Sequence, residues 1–128
     1  MNGMNALLDS NIFIYISKDQ LDLEKLFEDY DNFYCSVISK MEVLGFNFQN
    51  VNEKEIVEKL FDDIEIINID DNIVNLVINT RKKKKIKLPD AIVFATAKTH
   101  KLVLITRNTD DFKNIDKSLK LINPFDNL

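Results

Sequence analysis

The 128-residue chain holds one cysteine, one histidine, two glycines and two prolines, and each scarcity removes a class of protein. The lone Cys35 excludes an internal disulfide; with Phe33, Tyr34 and Val37 as neighbours it reads as a buried strand position. The lone His100 is the only base open to a serine- or cysteine-type triad, and no Cys/His spacing suits zinc. It stands at the far end of an expected helix from Asp90, roughly 15 Å away at 1.5 Å per residue, so nucleophilic catalysis is set aside. No glycine-rich phosphate loop of either common type is present, and no linker, internal repeat or low-complexity segment apart from a run of lysines. Long apolar runs are also missing. The first, Met4 to Leu8, stops at Asp9, and the next stops at Lys18, too short for a signal sequence or a membrane span. A soluble, cytoplasmic protein without a membrane partner is expected.

An apolar content of 45% with 30% charged residues suits one globular domain, residues 1–128, with a sizeable core. The net charge of −4 conceals an uneven spread: residues 1–72 carry 5 basic and 16 acidic side chains, residues 73–128 carry 12 and 5. The acidic total argues against a general nucleic-acid coat, whereas a local basic surface beside a metal-filled acidic pocket suits a phosphodiester.

Strand-like and helix-like segments alternate. Met4 to Leu8 reads as a buried strand, followed by a helix from Ser10; Leu21 to Tyr30 reads as a helix and Asn32 to Ser36 as a strand. Val37 to Phe46 has Ile38, Met41 and Gly45 at helical spacing, with Glu42 near that stripe. Asn52 to Asp63 predicts a helix on Ile56, Leu60 and Phe61, and Glu65 to Ile69 a strand. Asp70 or Asp71 caps a helix from Ile73 to Lys84 with a stripe of Val74, Val77 and Ile78. Pro89 opens a largely apolar, central helix, Leu102 to Ile105 reads as a strand, Thr109 to Lys113 as a helical turn, and Leu119 to Ile122 as a last strand. The alternation predicts an α/β fold with a mostly parallel sheet.

Four acids stand where such a fold can aim them at one pocket: Asp9 after the first strand, Glu42 on a helix face, Asp90 in the first turn of the apolar helix, and Asp111 after the strand ending at Ile105. Two carboxylates about 4 Å apart repel by roughly 4 kcal/mol at an effective dielectric near 20, so a cluster protonates or binds cations. All-oxygen donors favour Mg²⁺ or Mn²⁺. Asp9 has the simpler role of a helix N-cap, but Ser10 can cap in its place, and Asn11 can support the carboxylate. Asp90 gains from a helix dipole in any case, yet it is the sole acid between Asp71 and Asp110. Either Asp110 or Asp111 faces the pocket. Arg81, Lys82, Lys83, Lys84, Lys85 and Lys87 form a basic run ahead of Asp90, suited either to solvent or to tracking phosphates, with Lys98, Lys101 and Arg107 as further candidates. Phe13, Tyr15, Phe27 and Phe94 read as core.

These motifs, in this order and over nearly the whole chain, resemble the PIN-domain nucleases, and among them the VapC-type toxins. Leu8-Asp9-Ser10-Asn11-Ile12 resembles the family's opening motif, Ser39-Lys-Met-Glu42-Val-Leu-Gly45 its helical Glu segment, Leu88-Pro-Asp90-Ala-Ile-Val-Phe-Ala-Thr-Ala its third motif, and Leu104-Ile-Thr-Arg-Asn108-Thr-Asp-Asp111-Phe112 its fourth. One departure is Lys101, where family members often carry glycine. The resemblance implies a PIN-like α/β/α sandwich of about five strands and a Mg²⁺- or Mn²⁺-dependent endoribonuclease. It also implies a homodimer inhibited by a small antitoxin whose C-terminal segment covers the acidic pocket. Asp9 and Asp90 would be primary metal ligands, Glu42 a direct or water-mediated ligand and Asp111 the fourth acid, preferred to Asp110 because it precedes Phe112; Ser10, Asn11 and Asn108 would support them. Two other readings are a Mg²⁺-binding phosphoacceptor signalling domain and a PIN-like binding module without turnover.

Overall fold

The computed structural model describes residues 4–126. Strands and helices alternate along them as β1 (Asn5–Leu8), α1 (Ser10–Ser17), α2 (Leu23–Phe27), β2 (Asn32–Ser36), α3 (Val37–Leu44), α4 (Val51–Asp63), β3 (Glu65–Ile67), α5 (Asp71–Lys83), α6 (Leu88–Thr99), β4 (Val103–Ile105), a 3-10 turn (Thr109–Asp111) and β5 (Leu121–Ile122). The strands form one sheet in the order β3-β2-β1-β4-β5, and every pairing is parallel. Parallel neighbours need crossover connections, and helical crossovers cover both sheet faces.

The period of two along β1 assigns its side chains to the two layers. Ala6 and Leu8 join α1 and α4 residues such as Ile12, Phe13 and Val57. Leu7 joins Leu104 and the α5 and α6 residues Ile73, Val77 and Phe94. Leu7 and Leu8 are fully buried, each burial contributing roughly 1.5–3 kcal/mol. The result is the five-stranded α/β/α sandwich that the family resemblance implies.

Helix α6 is the central helix expected of its composition, with every residue from Ala91 to Ala97 buried. Its one buried hydroxyl, on Thr96, is satisfied by donating to the Ile92 carbonyl at 2.7 Å. Asp70 caps α5, its carboxylate accepting from the Ile73 amide at 2.9 Å. Gly45 ends α3, where a Cβ would stand 2.9 Å from the Met41 carbonyl oxygen.

Three helix stripes differ from expectation. In α3 the buried residues are Ser39 and Val43, while Met41 is exposed. In α4 they are Val57 and Leu60; Ile56 is exposed, and Phe61 stacks on Phe13 at 4.8 Å. In α5 they are Ile73, Val77 and Thr80, leaving Val74 and Ile78 exposed. Each helix carries apolar residues on two overlapping stripes, and the layer it packs against selects one. Cys35 is buried as expected, and burial, assisted by nearby carboxylates, pushes its thiol up to about 12. No helix among the described residues is long and apolar enough to cross a membrane.

Candidate active site

From β1 the chain builds outward to β2 and β3, then returns to place β4 and β5 on the other flank of β1. The strand order therefore reverses between β1 and β4, and the crevice outside their carboxyl ends is where an open parallel sheet binds ligands. Leu8 pairs with Ile105, so the next residues, Asp9 and Thr106, meet at the crevice. The Asp9 amide donates to the Ile105 carbonyl at 3.0 Å. The Thr106 hydroxyl donates to Asp9 Oδ2 at 2.8 Å and accepts from the Asn108 amide at 3.0 Å. Thr106, fully buried, is a site residue that the sequence reading did not single out. Its only local signal is a hydroxyl placed directly after a buried strand.

Asp9 Oδ1 accepts from the Ser10 amide at 2.8 Å, so Asp9 itself occupies the N-cap position of α1 and Ser10 does not relieve it. The cause is its extended backbone, which carries the carboxylate over the first free amide of the helix. Capping and site-facing roles coincide in one side chain, because a carboxylate has lone pairs beyond those two bonds. Asp9 is 6% exposed, and this burial, with a smaller contribution from the Asp111 charge, raises its pKa against the lowering effect of the Thr106 and Ser10 hydrogen bonds.

The other acids arrive on separate elements. Ser36, the last residue of β2, caps α3 by accepting from the Ile38 amide at 3.3 Å, which starts the helix directly off the strand and brings Glu42 to the crevice rim. Desolvation first, then the Asp9 and Asp90 charges, raise Glu42, and a hydrogen bond from the Ser10 side chain offsets part of this. Asp90, in the first turn of α6, is raised by desolvation and by Asp9 and Asp111, with Lys87 opposing. Asp111 comes from the 3-10 turn and lines the same cleft. Its neighbour Asp110 is exposed and pairs with Lys113 at 2.9 Å.

Together the four acids, with Ser10, Asn11 and Asn108, line a cleft of about 620 Å³ whose apolar wall includes Ile14, Val43, Phe46 and Pro89. Asn11 Oδ1 is buried without a hydrogen-bond partner among the described residues. Three of the four carboxylates resist ionisation partly because of one another, which is the condition that a cation relieves. Among the described residues no three acidic, histidine or cysteine side chains are drawn to direct ligand spacing. A hard ion that keeps part of its water shell is held through water as well as directly, and the all-oxygen set fits that kind of ion.

The basic run divides. Lys87, immediately before α6, lies on the cleft wall. Arg81, Lys82, Lys84 and Lys85 surround a different groove of about 500 Å³ with Ile78, Ile86 and Leu88, and the Arg81 Nε donates to the Ile86 carbonyl at 3.2 Å. Lys83 is exposed and lines neither. Helix α5 ends at Lys83, so the intervening connection carries only its last residue to the acids. Arg107 is exposed and packs on Tyr15 and Phe125. Phe13 and Phe94 are core, whereas Tyr15 is half-buried and lines the cleft, a placement its helical spacing did not reveal.

The family model described as PIN domain matches residues 6–118. The chain is 29% identical to Ribonuclease VapC2 of Methanocaldococcus jannaschii, across 91% of this chain and 92% of that protein. A solved toxin-antitoxin complex from Klebsiella pneumoniae contains a chain that is 34% identical with a TM-score of 0.77, covering 93% of this chain and 97% of that one. VapBC-1 from nontypeable Haemophilus influenzae is similar at 25% identity and a TM-score of 0.76, covering 95% and 99%.

Proposed function

The chain belongs to the PIN domain family, and on that ground we propose that it is a metal-dependent endoribonuclease, the toxin of a toxin–antitoxin pair. The observation that carries the reading is the convergence of Asp9, Glu42, Asp90 and Asp111, from four separate elements, on one cleft at the reversal of strand order. The similarity to a protein named as a ribonuclease and to a chain of a toxin-antitoxin complex supports the activity and the partner.

Asp9 and Asp90 would hold Mg²⁺ or Mn²⁺, with Glu42 as a direct or water-mediated ligand and Asp111 as the fourth acid. When bound, such an ion supplies a water of lowered pKa and neutralises charge on a reacting phosphate. Thr106 and the Ser10 amide fix the Asp9 carboxylate, the Ser10 side chain meets Glu42, and Asn108 is held through Thr106. Lys87 balances the acidic wall for an approaching phosphate, while Arg81, Lys82, Lys83, Lys84 and Lys85 offer a more distant basic surface to the same polyanion. Unpaired RNA is the substrate class, since an A-form duplex hides its base edges. The reading includes a cytoplasmic homodimer whose cleft is covered by the C-terminal segment of an antitoxin.

A phosphoacceptor signalling domain is set aside, because that class shares the 2-1-3-4-5 strand order, whereas this sheet runs β3-β2-β1-β4-β5. Asp9→Asn and Asp90→Asn should each lower Mn²⁺-dependent cleavage of RNA at least about 100-fold and remove the heat of Mn²⁺ binding in calorimetric titration. Unchanged cleavage in both variants would sink the assignment. A wild-type protein that takes up no Mn²⁺ and cuts no RNA is the binding module without turnover.

A further inference from the structure

The Arg107 guanidinium carbon lies 4.9 Å from the centre of the Tyr15 ring and 4.4 Å from that of Phe125. The two ring centres are themselves 4.9 Å apart, with the planes inclined at 73°. Three near-equal separations describe a triangle, so the cation rests in the corner between two rings and keeps an open side. Arg107 is exposed, and no carboxylate pairs with it among the described residues. Tyr15 is also part of the acidic cleft's wall. The residues on either side of Arg107 are fixed to the site, Thr106 by its bond to Asp9 and Asn108 by its bond to Thr106.

We propose that Arg107 anchors an RNA phosphate next to the one at the acids, with Tyr15 and Phe125 as positioning residues; this rests on the ribonuclease reading and names its substrate contact. A guanidinium offers a planar fork of N–H donors that matches a phosphate bidentately. Ring faces hold that plane by cation–π attraction, so ordering that a free lysine undergoes on binding is complete beforehand. The position matters as much as the chemistry. A polyanion nearing four carboxylates is repelled, and a fixed cation on the rim supplies attraction there. A carboxylate from an inhibitory protein presents a similar oxygen pair, but an RNA strand carries a phosphate at every nucleotide, so one lying at the acids brings a neighbour to the rim, which favours RNA.

The test measures binding of a labelled, mixed-sequence single-stranded RNA by fluorescence anisotropy across a salt series, in parallel with steady-state cleavage, for the full chain and for Arg107→Ala, Arg107→Lys and Phe125→Leu. Arg107→Ala should weaken binding and raise KM about tenfold with kcat within about twofold, and should reduce the salt slope by about 0.7, one phosphate contact on a single strand. Arg107→Lys keeps the charge and should still lose most of the effect, as should Phe125→Leu. If Phe125→Leu does not fold, the exposed Arg107→Lys variant decides. Arg107 variants that bind and cut like wild type overturn the anchor alone. Variants that keep RNA binding but lose the complex with an acidic inhibitor protein overturn it in favour of the protein contact. A wild-type chain that neither binds nor cuts RNA overturns the ribonuclease reading itself.

Discussion

Thr106 illustrates how a site depends on a residue without obvious chemistry of its own. Valine has nearly the same shape but no hydroxyl, so Thr106→Val leaves Asp9 Oδ2 and the Asn108 amide without the partners they now have. The expected loss is about 1–3 kcal/mol, the usual cost of a buried unsatisfied group, measured by chemical denaturation in the absence of divalent ions; equal stability would mean that the bond is not needed to hold Asp9. Asp90→Asn should act in the opposite direction. The pKa values of Asp9, Glu42 and Asp90 are raised in the fold, so their contribution to stability is fully present below the ordinary carboxylate range and is lost as pH climbs through the raised values. Metal-free Asp90→Asn should therefore melt above wild type at pH 7 and lose the advantage toward pH 4, and Mn²⁺ should narrow the gap at pH 7 by stabilising wild type alone. A melting order that ignores pH would count against mutual repulsion. The acids were legible in the sequence because each follows a strand, opens a helix or rides a helix stripe. Thr106 and Tyr15 were not, since their partners lie far along the chain and a local pattern carries no such information.

Among the elements, period and punctuation located the strands and helices of the described residues, with several ends differing by one to three residues. The helix faces were harder to read. Val74, Val77 and Ile78 form a plausible stripe in α5, yet Ile73, Val77 and Thr80 are the buried set. Two stripes sharing Val77 are equally periodic, and only α6 and the sheet decide between them. Small Ser39 is likewise buried in α3 where larger Met41 is exposed, an exchange that hydrophobicity alone does not anticipate. The departure at Lys101 has a physical counterpart. Lys101 follows α6 with φ 57°, the left-handed conformation that commonly ends a helix and that glycine adopts freely. Lys101→Gly should relieve that strain and, after the larger chain entropy of glycine, stabilise the fold by roughly 1 kcal/mol, read as a melting temperature raised by about 3–5 °C. A lower melting temperature would place the side chain's packing above the backbone strain.

At the scale of the whole molecule, the apolar residues left outside the two layers bear on assembly. Val74 and Ile78 are 41% and 47% exposed one turn apart on α5, which suits a helix that meets another chain. Ile78→Asp should shift a dimer to monomer in sedimentation velocity with little change in the far-ultraviolet circular dichroism; a wild-type chain that sediments as a monomer at micromolar concentration would remove the homodimer from the reading. The charge spread along the chain is not repeated in the cleft, where each half supplies two acids and one lysine, Asp9, Glu42 and Lys18 from the first and Asp90, Asp111 and Lys87 from the second. That cleft is closed by a contact spanning 97 positions of sequence, the Thr106 to Asp9 hydrogen bond. On a ribosome adding about 5–20 residues per second, Asp9, Glu42 and Asp90 are all made before the strand that completes their surroundings. A nascent or truncated chain ending ahead of β4 thus carries three of the four acids but lacks Thr106, Asn108 and Asp111, so the cleft is complete only after the segment through Asp111 has been synthesised and folded.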